Sequence, residues 1–233
     1  MSNTIAIMQP TYLSWTGYIA LAIKVDQFVY LDTVQFSRRS WQQRNRIKTS
    51  NGEMLLTVPV VKGPRDQKIF DVQIHKSAEF PRKHIEALEH SYSKAEFFDE
   101  YSQGLINILH DENTSLAELN IRILDWVFDI LEIKTRTVRS SSLNVNGNKD
   151  ELLAKICSEL SATHYLSPVG SNNYLDSSSY FGEKGLSYGY LDYEPAEYKQ
   201  LYGTFIPSLS IIDLIFNEGR GSREIIEKGI SNE

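Results

Sequence analysis

Thr4-Ile5-Ala6-Ile7-Met8 and Val25-Asp26-Gln27-Phe28-Val29-Tyr30-Leu31 decide the fold. Each is a short apolar run of strand type. Between them lie Gln9-Pro10, which ends the first run because proline cannot donate to a ladder, and Ile19-Ala20-Leu21-Ala22-Ile23, which reads as a helix. Strand, loop, helix and strand within about 30 residues make a βαβ unit, with the right-handed crossover that such units take. The loop after each strand then lies at the carboxyl end of the sheet, the edge where open α/β sheets bind ligands.

The second of those loops opens the most unusual stretch of the chain. From Tyr30 to Lys48 the sequence places Arg38, Arg39, Arg44 and Arg46 with Gln35, Gln42, Gln43, Asn45 and Trp41, in a chain of net charge −6. A positive cluster on an acidic background is a local device. Arginine offers a planar, permanently charged fork that matches phosphate or carboxylate, and the indole offers a flat face. The functional reading is a pocket for a phosphorylated, nucleotide-bearing small molecule; the alternative is a solvated loop after a strand. If the chain is extended there, Arg44 and Arg46 share one side.

Composition narrows the classes. Hydrophobic content of 41% and charged content of 23% over 233 residues fit a globular protein with a sizeable core. A pI near 5.5 argues against a DNA binder, which would show a dominant basic face. A single cysteine, Cys157, points to a reducing compartment, and its place in Leu152-Leu153-Ile156-Cys157-Leu160 reads as core. No run approaches 18 apolar residues, so membrane insertion is not expected; without a signal-peptide pattern the expected location is cytoplasmic.

Further strands are expected at 53–61, 69–74, 135–140, 164–167 and 186–193. Helices are expected at 80–91, 97–109, 116–131 (behind a Ser115-x-x-Glu118 capping box), 148–160, after Tyr174, and 208–217 ending at Gly219. The fold class is α/β: a mixed, partly parallel sheet with flanking helices and a helical middle segment. Residues 1–233 form one domain, with 80–132 as a helical cap subdomain.

Ile7-Met8-Gln9-Pro10, Gly17-Tyr18, Asp32-x-x-Gln35, Arg39-x-Trp41 and Arg44-Asn45-Arg46-Ile47 together resemble the WbqC-like family. Thr57-Val58-Pro59, Lys83-His84, Tyr92-x-Lys94-Ala95, Ser141-Ser142, Tyr165-Leu166-Ser167, Gly170 and Tyr174-Leu175-Asp176 continue the likeness. Tyr198-x-Gln200, Phe205-x-Pro207 and Leu209-Ser210-x-x-Asp213-x-x-Phe216-Asn217-x-Gly219 close it. Two departures stand out: Thr33 follows Asp32 where many members carry a second acidic residue, and Ser40 stands where many carry glycine. The resemblance implies an enzyme of O-antigen and lipopolysaccharide biosynthesis. Its reaction would attach an acyl or aminoacyl group, such as glycine, to the amine of a nucleotide-linked amino sugar. A non-catalytic protein that binds or escorts a nucleotide sugar is the alternative.

Amide formation needs a base for the amine and donors for the oxyanion. His84 is the leading base, since histidine titrates near working pH; its other reading is a packing residue. Asp32 and Asp213 are the acidic alternatives. Gln9, Tyr12, Gln35, Asn45 and Asn217 are candidates to hydrogen-bond sugar or base, the four arginines to hold diphosphate, and Trp41 and Tyr12 to stack. Tyr174 and Gln200 join the substrate-binding set. Gly17, near the start of the first helix, is placed to present amide N–H groups to phosphate. The donor is either a free acid activated by ATP and Mg²⁺, as nucleotidyl-transferring α/β folds do it, or an already activated acyl or aminoacyl group. No zinc-ligand spacing, P-loop or dinucleotide fingerprint is present.

Overall fold

A computed structural model describes residues 2–75, 79–111, 115–171, 175 and 178–231. Its first 30 residues fold as β1 (Thr4–Met8), α1 (Thr16–Ile23) and β2 (Gln27–Tyr30), with β1 and β2 parallel and Ile5 opposite Gln27. Three later strands, β5 (Arg136–Arg139), β6 (His164–Pro168) and β7 (Ser187–Leu191), complete a sheet of order β5-β2-β1-β6-β7 in which every pair is parallel. The chain builds outward from β1 to β2 and β5, then returns to the other side of β1. The reversal falls between β1 and β6, the position where a doubly wound sheet leaves a crevice at its carboxyl edge.

Strand alternation assigns the two faces. Ala6, Phe28 and Tyr30 look toward α1 and α4 (Leu116–Ile130), and Phe28 meets Phe128 of α4 edge-on at 6.1 Å. Ile5, Ile7, Val29 and Leu31 look the other way, toward α5 (Lys149–Glu159) and α6 (Tyr180–Glu183). Burial of a large side chain such as Phe28 contributes roughly 1.5–3 kcal/mol. Helices therefore cover both faces, which explains why β1 and β2 read as continuous apolar runs. Cys157 lies fully buried on the α5 side, and burial pushes its thiol up to about 12, which keeps it protonated.

Between β2 and β5 the chain inserts a two-stranded antiparallel hairpin, β3 (Arg44–Thr49) with β4 (Gly52–Thr57), and then α2 (Arg82–Tyr92), α3 (Phe98–Leu109) and α4. Half of the capping box forms: the Ser115 side chain accepts from the Glu118 backbone N–H, while the Glu118 carboxylate accepts from Arg139 Nη1 (2.7 Å). Two expectations change. The strand expected at 53–61 ends at Thr57, and the one expected at 69–74 is a 3₁₀ turn over Ile69–Asp71 with isolated bridges at Gln73 and Ile74. Ile69 and Val72 there are both fully buried, three apart, which suits a turn rather than an alternating strand. The short helix expected after Tyr174 lies largely outside the described residues, of which Leu175 is helical; a separate short helix, α6, begins at Tyr180. The chain closes with α7 (Ile211–Glu218), capped by Ser210, and α8 (Ser222–Lys228).

Candidate functional site

Three segments distant in sequence are laced together beside the carboxyl end of β1. The Tyr12 N–H donates to the Trp41 carbonyl (3.0 Å), tying the loop after β1 to the arginine-rich stretch. The Ser210 N–H donates to the Arg46 carbonyl (3.0 Å), and the Ile211 N–H to the Ser14 carbonyl (2.7 Å). Asn45 completes the clamp: its amide nitrogen donates to the Leu13 (2.7 Å) and Tyr12 (3.3 Å) carbonyls, and its Oδ1 accepts from the Arg46 N–H (2.8 Å). Leu13 needs that hold, because its φ of 46° lies in the left-handed region that a branched side chain avoids.

Where these segments meet there is a cavity of about 300 Å³, lined by Met8, Thr11, Trp15, Tyr18, Trp41, Asn45, Arg46 and Ser208. Its two indoles differ in setting. Trp15 is half-buried, edge-on to Tyr193 (5.7 Å), and folded against Gly17; a Cβ at Gly17 would lie 2.4 Å from the Trp15 ring. Trp41 stands at the rim, 50% exposed, with the Arg46 guanidinium 5.6 Å from its ring centre. Gly17 thus makes room for the indole that forms a cavity wall.

Arg46 donates from Nη1 to both Glu53 oxygens (2.9 and 3.0 Å), and both partners are about one-third exposed. Such a pair is worth under about 1 kcal/mol. The Arg46 Nε is buried without a hydrogen-bond partner among the described residues, an arrangement that costs about 1–3 kcal/mol until an acceptor arrives. The Tyr18 hydroxyl is likewise buried and unpartnered.

The remaining arginines separate. The stretch after β2 is a turn only as far as Gln43; from Arg44 it is strand β3, and the extended backbone puts Arg44 and Arg46 on one face. Arg38 and Arg39 sit on the exposed turn. The Arg38 Nη2 reaches no nearer than 3.5 Å to the Val60 carbonyl, and Arg39 has φ 59° with its backbone N–H donating to Gln43. The four guanidinium groups therefore do not converge.

The expected catalytic residues are engaged elsewhere. His84 on α2 is buried; its Nε2–H donates to the Thr57 carbonyl (3.2 Å), which fixes Nδ1 as the acceptor for the Tyr12 hydroxyl (2.8 Å). Burial lowers its pKa from 6.5 to about 4, so the ring is neutral. Tyr12 is spent in this bond and is fully buried, so it does not line the cavity, whereas Trp15 does. Asp32, fully buried at the end of β2, accepts from Ser140 Oγ (2.9 Å), the Ser141 N–H (2.9 Å), Ser141 Oγ (2.7 Å) and Arg139 Nε (3.2 Å). It latches the carboxyl ends of β2 and β5 together.

Asp213 on α7 accepts from the Tyr92 (2.7 Å) and Tyr198 (2.6 Å) hydroxyls. Gln200 donates to Tyr198, and the Lys48 ammonium donates to Gln200 Oε1 (3.0 Å) and the Thr204 carbonyl (2.6 Å). Burial pushes the Asp213 carboxyl up and the Lys48 ammonium down, each partly offset by the charge of the other. Gln200 thus belongs to a buried network with Asp213, Tyr198 and Lys48, and Asn217 donates to the Asp213 carbonyl within α7. Gln9 is exposed and accepts from Gln42 Nε2; Gln35 is exposed and donates to the Arg65 carbonyl. Tyr174 lies outside the described residues.

Of the expected site, Trp41, Asn45 and Arg46 line the cavity. Sequence reading missed Met8, Thr11, Trp15, Tyr18 and Ser208. The signal for Trp15 was its spacing: an indole two residues before the glycine whose missing side chain accommodates it. Among the described residues no three His, Cys, Asp or Glu side chains sit together to hold a metal ion, and no helix is long and apolar enough to cross a membrane.

The sequence profile of the WbqC-like protein family matches residues 9–225. The chain is 39% identical over 218 residues, 92% of its own length and 94% of the relative's, to "Uncharacterized protein Rv1507c" of Mycobacterium tuberculosis. No solved structure matches.

Proposed function

We propose that this chain, which belongs to the WbqC-like protein family, forms an amide on the amine of a nucleotide-linked amino sugar in surface-polysaccharide (O-antigen) biosynthesis, using an acyl or aminoacyl donor such as a glycyl group. The observation that supports it most is the cavity in which two indoles and a guanidinium meet beside the carboxyl end of β1. A planar, partly apolar, anionic metabolite matches that lining. In the reaction the neutral amine attacks the donor carbonyl. A C–N bond forms, the C–S or C–O bond to the leaving group breaks, and the proton lost by nitrogen is taken up by solvent or the leaving group. ATP with Mg²⁺ would be needed only for a free acid. The carboxylates of Asp32 and Asp213 are occupied by protein donors and do not fit a resident Mg²⁺, so no step is derived through it.

One observation favours the second reading, a nucleotide-sugar binding or escort protein: His84, Asp32 and Asp213 are all held in internal hydrogen bonds and none lines the cavity. Mass spectrometry separates the two. The pure protein is incubated with nucleotide-linked 3-amino and 4-amino sugars plus glycine and ATP, acyl thioesters or glycyl-tRNA. The expected result is a mass gain equal to one acyl group, reduced at least about tenfold in Arg46→Ala through loss of a charge-assisted contact. Binding without product across every donor overturns the enzyme in favour of the escort.

A further inference from the structure

Resting on the nucleotide-sugar reading of this cavity, we infer that it seats the nucleobase between Trp15 and Trp41, that the Arg46 guanidinium passes from Glu53 to the diphosphate, and that the sugar and its amine stay outside. Size gives the first argument. At about 300 Å³ the cavity is at the lower end of ligand sites, room for part of such a metabolite. The spare hydrogen-bonding capacity gives the second. A sugar ring presents several hydroxyls and needs several partners. Asn45 has both ends of its amide engaged, and the Thr11 hydroxyl shares a 2.5 Å bond with Ser14, which leaves chiefly Ser208, the unpartnered Tyr18 hydroxyl and Arg46 among the lining side chains, fewer partners than a sugar ring needs. A base needs few partners but large flat faces, and the two indoles provide them.

The exchange at Arg46 follows from its present bonds. Glu53 holds Nη1 alone, while Nε has no acceptor. Glu53 is partly exposed, so release into water is cheap for it. Diphosphate offers several anionic oxygens to the same fork, and Arg44, on the same face of β3, adds a second positive charge about 7 Å along the strand. With the base inside and the diphosphate at the rim, the amine projects from the cavity mouth. That placement accounts for a cavity lining without a free base: the reacting group lies beyond it.

Tryptophan fluorescence and calorimetry with uridine, UDP, dTDP, GDP and glucosamine 1-phosphate test this. At least one nucleoside diphosphate is expected to bind and quench, and glucosamine 1-phosphate is not. Trp41→Ala is expected to weaken the diphosphate about tenfold. Glu53→Gln is expected to tighten it roughly threefold and leave uridine unchanged. Quenching by glucosamine 1-phosphate but by no nucleoside diphosphate overturns the assignment of the two ends. So does an affinity for the diphosphate that neither substitution changes. If amide product still forms from a nucleotide sugar in those cases, the enzymatic reading stands and only the base-in orientation fails; if no nucleotide sugar binds at all, both fall.

Discussion

On acidification from pH 6.5 to about 4, the folded chain is expected to lose about 3 kcal/mol of stability through His84 alone. The folded pKa is depressed from 6.5 to about 4 by burial, so the unfolded chain binds this proton first. The contribution is fully present above pH 6.5 and drains away as pH falls toward 4. His84→Gln removes the titrating group, so the clearest readout is the difference between two curves of urea-unfolding free energy against pH. Wild type should steepen relative to the variant below pH 6.5. Asp213 acts with the opposite sign: its carboxyl is held up by burial, so its own contribution falls as pH rises from 3.8 through its raised folded value, and it is common to both proteins. Parallel curves would contradict a neutral, enclosed His84.

Asp213→Ala is expected to cost about 3–5 kcal/mol in urea unfolding at neutral pH. The substitution strands the Tyr92 and Tyr198 hydroxyl donors in the interior, and it removes the opposing charge that favours the Lys48 ammonium. The damage should extend to the cavity. Lys48 lies two residues from Arg46 on β3, and Ser210, which caps α7, donates its backbone N–H to the Arg46 carbonyl. A loss below about 1 kcal/mol would mean that the network does not hold the wall together.

The βαβ unit was legible because β1 and β2 are buried on both faces, so that apolar runs and a single Pro10 suffice to mark them. The hairpin was only half visible. β4 carried an apolar run in Met54-Leu55-Leu56, but β3 is Arg44-Asn45-Arg46-Ile47-Lys48-Thr49, and such polar residues conceal a strand whose Asn45, Ile47 and Lys48 are nonetheless buried. The Trp41, Asn45 and Arg46 part of the site could be read from residue type, since an indole among guanidinium groups in an acidic chain is conspicuous. Which of the four arginines reaches the cavity could not, because Arg38 and Arg39 occupy an exposed turn and of the β3 pair only Arg46 lines it. His84, Asp32 and Asp213 matched catalytic chemistry by type. Their actual partners, Tyr12, Ser140, Ser141, Tyr92 and Tyr198, lie between 15 and 121 residues away in sequence, so no local pattern announced that their lone pairs were already taken.

We propose that a nucleotide-linked amino sugar binds at the cavity walled by Trp15, Trp41 and Arg46. Isothermal titration of the wild-type chain and Arg46→Ala with a panel of nucleotide-linked 3-amino and 4-amino sugars tests it most directly. Saturable one-to-one binding to wild type, weakened at least about tenfold in the variant and declining with added salt, is the predicted result. Absence of binding across the panel, or equal affinity in both proteins, would contradict it.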